Sequence, residues 1–339
     1  MTIPQIRQTR QSDSKANRSI EQAAVYSERP LIFRAQTASA SVPQILYVSN
    51  RGVDGNGFNL SYKVHEEGED IAAHHRQLEV ALGRPLSLVR QVHSSRVVDL
   101  DAYLANAVQG SDSHSPLTPS QLRTALVPLA TREADAQVTT RTDIALGVYT
   151  ADCTPVLLVD AVHGVYGVAH AGRKGVENGV VPETVAVMES KGAELTDVEV
   201  WLGPNICGNC YETGDVVAQE FAHKNAELLE KVARRGAGFP AEPDAFVTHT
   251  RFGGEGIDMR AALKAQLAAM GMNHQQVHDE DSCVDAQTHR ELDQASSTEA
   301  QAPNNSMCTL ENPLLYSYRE WTLTHRPGSN GRFISVLMP

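Results

Sequence analysis

Between residues 144 and 170 the chain passes through three short apolar runs, IALGVYT (144–150), PVLLVD (155–160) and GVYGVAH (164–170). Each is bounded by Gly, Pro or Asp and is too short for a buried helix, which favours buried strands. Several strands therefore follow one another with no helix between them, and strict βαβ alternation fails. ILYVSN (45–50), LSLVR (86–90), RVVDLD (96–101), VEVWLG (198–203) and FISVLM (333–338) read as further strands. Helices are expected over about 70–82, 176–191, 214–233 and 258–270. In the last, Leu263, Leu267 and Met270 line one face, Asp258 is placed as the N-cap and Gly271 as the stop. The pattern is a single large α/β (α+β) domain over 29–339. It follows a polar tail, 1–28, expected to be disordered, and carries loop insertions near 109–122 and 279–307 that are rich in Ser, Pro, Thr and charge.

The formal net charge is −12. That opposes binding to a phosphate backbone, so nucleic acid is not an expected partner. No apolar run approaches the ~20 residues of a membrane helix. The N-terminus has no apolar core of a secretory signal, and a cytoplasmic protein is expected. The five cysteines, Cys153, Cys207, Cys210, Cys283 and Cys308, are too few and odd in number for a disulfide scaffold. Reduced thiols in a cytosolic setting fit better.

Three segments carry chemistry. Gln91-Val92-His93 follows a strand, Ala151-Asp152-Cys153-Thr154-Pro155 joins two, and His170-Ala171-Gly172 ends another and opens a helix. Each puts one soft or borderline ligand at a strand tip. Two imidazoles and a thiolate suit zinc or copper, and three protein ligands leave a fourth position open, as in catalytic sites. The plain alternative is two strand-end histidines and a buried Cys acting as a small hydrophobe. Cys207-Gly208-Asn209-Cys210 has C-x-x-C spacing, but with no partner pair in view it reads as a packed structural turn. The adjacent His74 and His75 point to different faces of a helix and form no joint site.

The ordered motifs resemble the YfiH-type family, also called laccase-domain or multicopper polyphenol oxidase-like. They are Phe58-Asn59-Leu60-Ser61, Gln91-Val92-His93, Ala134-Asp135-Ala136, Ala151-Asp152-Cys153-Thr154-Pro155, His170-Ala171-Gly172, Gly203-Pro204-Asn205-Ile206, Cys210-Tyr211-Glu212, Cys308-Thr309, Tyr316-Ser317-Tyr318-Arg319 and Gly331-Arg332. The resemblance covers about 45–339. It implies an α-β-β-α sandwich of mixed sheets and metal ligands at His93, Cys153 and His170. It also implies a zinc-dependent enzyme (copper being possible) of purine nucleoside metabolism. Such an enzyme phosphorolyses adenosine, inosine, guanosine and S-methyl-5'-thioadenosine and deaminates adenosine.

On this reading the catalytic set is His93, Cys153 and His170 with Asp152 and Arg319. Asp152 is a candidate for orienting a histidine or moving a proton. Asn59, Arg173 and Lys174 are candidate substrate contacts, the two cations for phosphate. The family usually has Trp-Arg-Gly after HAG, whereas Arg173-Lys174-Gly175 stands here. Stacking of a base on a tryptophan is not expected, and Lys offers phosphate a point charge in place of a fork. The partners are purine nucleosides and phosphate, with monomer and homodimer both open.

Three other readings remain. A copper-dependent polyphenol oxidase needs several coppers and paired H-x-H motifs, and none of the 13 histidines forms one. A cysteine hydrolase would use Cys153 with His93 or His170 as base. A peptidoglycan-precursor editing factor would bind without nucleoside turnover.

Overall fold

The computed structural model describes residues 31–34, 43–49, 58–61, 70–107, 117–233, 246–279, 307–312, 315–325 and 330–339. The expected tail at 1–28 and the greater part of both expected insertions lie outside the described residues. One sheet comprises β1 (Leu31–Arg34), β2 (Gln44–Ser49), β3 (Leu86–Ser87), β6 (Ala145–Thr150) and β13 (Phe333–Met338), in the order β1-β2-β13-β6-β3. The other comprises β4 (Val97–Asp99), β5 (Ala136–Thr139), β7 (Thr154–Asp160), β8 (Val165–Ala171), β9 (Val198–Leu202) and β12 (Val277–Asp279), in the order β12-β9-β7-β8-β5-β4. β10 (Val247–His249) and β11 (Glu255–Ile257) form a separate ribbon.

The three apolar runs are β6, β7 and β8, and they do not share a sheet. β6 pairs with β13, while β7 and β8 pair antiparallel with each other. The chain therefore crosses from one sheet to the other at Ala151–Cys153.

Side-chain alternation along these strands builds the layers. Leu146 and Val148 of β6 meet Leu157 and Val159 of β7, Tyr166 and Val168 of β8, and Trp201 of β9 between the sheets. The outer face of the first sheet (Leu46, Ala145, Ile334, Val336) is covered by Leu78 and Leu82 of α1 (Ile71–Leu82). α2 (Leu100–Ala107) and α3 (Pro119–Leu126) close one flank of the inter-sheet core with Leu100, Leu104, Leu122 and Leu126. A short α4 (Arg173–Glu177) is followed by α5 (Val180–Ser190), α6 (Asp215–Ala233) and α7 (Met259–Ala269). These cover Val156, Leu158, Ala169 and Val200 on the outer face of the second sheet. α8 (Tyr318–Thr324) lies near the C-terminus. The result is the α-β-β-α sandwich expected. Among the described residues no helix is long and apolar enough to cross a membrane.

Several boundaries differ from the sequence expectation. The helix expected over 176–191 is two, α4 and α5, broken at Gly179, whose φ is +78°. The strand expected over 96–101 stops at Asp99, where α2 begins. Within the expected insertion 109–122, Thr118 caps α3: its hydroxyl accepts from Gln121 N and the Gln121 side chain reaches back, with Pro119 in the first turn. The strand expected over 86–90 keeps only Leu86–Ser87. Asp258 caps α7 as expected, accepting from Ala261 N at 2.9 Å.

Leu157 is fully buried between the sheets. Leu157→Ala is expected to cost about 2–5 kcal/mol in urea unfolding. Val162→Ala, at a residue 73 % exposed, should stay within about 0.5 kcal/mol.

Candidate metal and substrate site

Cys153 and His170 converge because of the β7–β8 register. Thr154 pairs with Ala171 and Pro155 with His170, so Cys153 stands opposite Gly172, one position beyond the ladder. Residues two apart on a strand share a face, which places the side chains of Cys153 and His170 together as a diagonal pair. His93 arrives from the segment that leaves β3 in the other sheet. Its Nε2 lies 3.7 Å from Cys153 Sγ, and its ring centroid lies 4.8 Å from that of His170. One ligand atom from each of the three lies within 4.8 Å of the others.

Gln91 and Asp135 bring His93 to this point. The Gln91 side chain bonds both backbone groups of Tyr149 in β6, accepting from its N at 2.8 Å and donating to its O at 2.7 Å. Asp135, fully buried immediately before β5, accepts from the backbone N of Val92 (3.1 Å), His93 (2.9 Å) and Ser94 (2.6 Å), and from Ser94 Oγ (2.7 Å). Its Oδ1 also accepts a hydrogen bond from His170 Nδ1 at 2.9 Å. A carboxylate can only accept, so this bond fixes the His170 tautomer and leaves Nε2 for the shared centre. Asp135, and not Asp152, is thus the residue that orients a histidine. In the sequence it stood only as the middle of Ala134-Asp135-Ala136.

Two non-glycine residues of the site sit at positive φ, His93 (+60°) and Asp152 (+89°). Such strain persists only where the surroundings over-determine it. Asp152 occupies the crossing between sheets. Its carboxylate accepts from Thr309 Oγ1 and Arg319 N, both at 2.6 Å, and its carbonyl accepts from Ile206 N at 3.0 Å. Burial pushes its carboxyl pKa up despite bonds from Thr309, Ser317 and Arg319.

The charges are tuned against one another. Burial pushes the Cys153 thiol up, but the His170 charge and bonds from both histidines bring it down to about 6. Burial pushes His170 down, and Cys153 with Asp135 raises it to about 9. Burial disfavours the Asp135 carboxylate too, yet bonds from His170 and Ser94 hold it well below the usual range. Without metal, a thiolate–imidazolium pair therefore spans about pH 6 to 9.

The donor set fits a borderline ion such as zinc. The pocket is also shaped for it: a Cβ added at Gly172 would fall 2.5 Å from His93 Cδ2 and 3.1 Å from Cys153 Sγ. Glycine is needed there for room, since nothing larger clears the His93 and Cys153 side chains.

Around the centre the structure sorts the remaining expected residues. Arg319 has its backbone N on Asp152, donates from Nη2 to Glu212 O at 2.5 Å, and lies over the Tyr211 ring at 5.9 Å. Arg173 pairs with Glu177 one turn on, so part of its charge is already met. Lys174 is exposed. Asn59 is corrected from substrate contact to structural turn. It is 1 % exposed, and its Oδ1 accepts from Ser61 N at 3.0 Å and Arg332 N at 2.9 Å. His74 and His75 hold the same turn through the carbonyls of Asn59 and Leu60.

Two further residues border the centre. Tyr211 is pushed up to about 12 by burial and the Cys153 charge, against the pull of Arg173 and Arg319. Burial holds Arg332 below its usual value while the Cys153 and Asp152 charges act on it. Both had appeared only as letters in motifs. The reading of Cys207-x-x-Cys210 as a turn without partners is also corrected: Cys308 and Glu311 stand beside it, all four donors within 4.8 Å.

A family model described as multi-copper polyphenol oxidoreductase laccase matches residues 47–339. A purine nucleoside phosphorylase of Mycobacterium tuberculosis is 30 % identical over 283 residues, 83 % of this chain and 84 % of its own. An adenosine deaminase, RL5, from an unknown prokaryotic organism is 31 % identical over 234 residues, 67 % of this chain and 78 % of its own. The solved YfiH structure of Bacillus licheniformis aligns with a TM-score of 0.60 at 18 % identity, over 87 % of this chain and 92 % of that one, a likeness of fold.

Asp135→Asn keeps the volume but loses the second acceptor and the charge. Metal affinity is expected to fall roughly 10–100-fold, measured by chelator competition; unchanged affinity would contradict the role given to Asp135.

The pair of shifts also has a signed pH consequence. The depressed thiol stabilises the metal-free fold fully above its ordinary 9.0 and loses that as pH falls through about 6. The raised imidazole stabilises it fully below 6.5 and loses that as pH rises through about 9. Alkylation of Cys153 in chelator-stripped protein should therefore rise with a midpoint near pH 6. A midpoint near that of an ordinary thiol would show that the pair does not form.

Proposed function

The chain belongs to the multi-copper polyphenol oxidoreductase laccase family, and from that premise we propose that it is a zinc-dependent purine nucleoside phosphorylase that also deaminates adenosine. The observation that carries the reading is the pairing of one His-Cys-His centre with a rim of guanidinium groups. That combination suits a neutral nucleoside and an anionic co-substrate. The relatives named purine nucleoside phosphorylase and adenosine deaminase support it. Phenol oxidation by several coppers is less well served. Neither of the other donor groups among the described residues offers more than one histidine.

His93, Cys153 and His170 would hold the ion, which when bound supplies Lewis-acid polarisation and an activated water near neutral pH. Copper would meet the same donors. Asp135 keeps the Nδ1 proton of His170 in place, which would leave Nε2 free to serve as the donor to the ion. Arg319, Arg332 and Lys174 supply positive charge for phosphate, with Arg173 contributing what Glu177 leaves. Arg319 is the best placed, because its backbone is fixed by Asp152 and its guanidinium by Glu212. Tyr211, protonated at neutral pH, is a hydrogen-bond donor for a ribose hydroxyl or purine nitrogen. Asp152 positions Arg319 and the Cys153 backbone. With its oxygens taken by Thr309 and Arg319, it is not placed to shuttle protons.

Inosine with phosphate should yield hypoxanthine and ribose 1-phosphate, and adenosine without phosphate should yield inosine. Cys153→Ala should abolish both together with metal retention at this centre. Arg319→Ala should raise the KM for phosphate roughly 10–100-fold, the worth of a charge-assisted bond, and affect deamination much less. Full phosphorolysis by metal-free protein would overturn the proposal.

A further inference from the structure

Behind the centre lie three thiols and a carboxylate that the proposed reaction does not use. Cys207, Cys210 and Cys308 are 2 %, 0 % and 0 % exposed, and none forms a disulfide. We propose that Cys207, Cys210, Cys308 and Glu311 form a second metal site, structural in role and matched to zinc, which staples the C-terminal segment to the sheet crossing.

The local backbone is built for it. The Cys207 carbonyl accepts from the N of Cys210 and of Tyr211, both at 3.0 Å. The Cys308 carbonyl accepts from the N of Glu311 at 3.1 Å and of Asn312 at 2.9 Å. Each is a tight turn that folds a side chain back beside the one three positions earlier. Structural zinc sites use this C-x-x-C device. The second turn repeats it with glutamate in the final place.

The two turns are docked on each other. Asn205 bridges Cys308, with Asn205 N on Met307 O and Thr309 N on Asn205 O, both at 3.1 Å. Cys207 N donates to Cys308 Sγ at 3.4 Å, a bond that favours a thiolate there. The Cys210 thiol lies 3.5 Å from Glu311 Oε1. Donors around one tetrahedral zinc stand roughly 3.8 Å apart for sulfur at ~2.3 Å, and all four lie within 4.8 Å of one another here.

The donor chemistry argues in the same direction. Three thiols alone would be an unremarked apolar cluster. The half-buried Glu311 carboxylate beside them supplies a fourth donor of a type zinc accepts alongside thiolates. The third donor group among the described residues, His163, Glu194 and Asp197, is largely exposed, and nothing about it calls for an ion.

The staple acts on the first centre through Asp152. Ile206, next to Cys207, donates to the Asp152 carbonyl, and Thr309, next to Cys308, donates to its carboxylate. Both arms therefore hold the residue at φ +89° that precedes the ligand Cys153. They also join positions 101 residues apart in sequence, where closing a long loop gains the most.

The test is metal content per chain after expression in zinc-supplemented medium and exhaustive dialysis. The wild type should hold about two equivalents. Cys207→Ser/Cys210→Ser should hold about one, as should Cys153→Ala. The Cys207→Ser/Cys210→Ser protein should also melt at lower temperature. Should that double variant fail to fold, cobalt loading of Cys153→Ala decides the matter. A thiolate-to-cobalt charge-transfer band must then remain at one equivalent, since the only other cysteines in that chain are those of the second site and Cys283. Cys283→Ser added to that chain must leave the band intact. One equivalent in the wild type with no change in Cys207→Ser/Cys210→Ser, no cobalt band in Cys153→Ala, or a Cys207–Cys210 disulfide in protein purified with metal each overturns the proposal.

Discussion

A single buried carboxylate organises this site. Asp135 gathers three consecutive backbone N–H groups, a serine hydroxyl and an imidazole N–H around its two oxygens. Fixing a loop residue such as His93 at positive φ costs on the order of 1–3 kcal/mol, and the charge-assisted bonds to Asp135 offset it. The same carboxylate sets the tautomer of His170 on the neighbouring strand. One side chain thus couples a loop from the first sheet to a strand of the second. Its desolvation is tolerated because every lone pair has a donor.

The sheet crossing is the second constraint. β6 and β7 are separated by three residues and belong to different sheets, so the chain turns sharply at Asp152 and presents Cys153 at the end of the inter-sheet core. Asp152 is held from three directions, by Ile206, Thr309 and Arg319. The thiol cluster at Cys207, Cys210 and Cys308 anchors two of these. The candidate phosphate-binding guanidinium of Arg319 hangs from the third.

Much of the sandwich was legible. β7, β8, β9 and β13 are apolar runs of ordinary strand length. α6 and α7 begin and end within a residue or two of the expected spans, α7 with the expected Asp258 cap. β10, β11 and β12 were not, because three residues carry no periodicity. α3 hid in a Ser- and Pro-rich segment whose Thr118-x-x-Gln121 capping box was the readable sign. For the site, the three candidate donors that converge were legible through motif resemblance and not through spacing. Convergence of Cys153 with His170 is a matter of strand register, and that of His93 a matter of sheet packing. Asp135 escaped because an acid opening an all-buried strand looks like part of the strand. The Cys308–Glu311 turn escaped because its partner pair lies 101 residues away. Asn59 misled because a turn asparagine and a ligand-binding one look alike until the side chain's direction is known.

In the proposed centre, His93, Cys153 and His170 share one cation in a cradle set by Asp135. Diffraction data collected on either side of the zinc absorption edge would locate that cation. An anomalous peak is expected within bonding reach of His93 Nε2, Cys153 Sγ and His170 Nε2, with His170 Nδ1 still on Asp135. A metal-loaded crystal with no peak at that point, or with the His170 ring turned so that Nε2 faces Asp135, would contradict it.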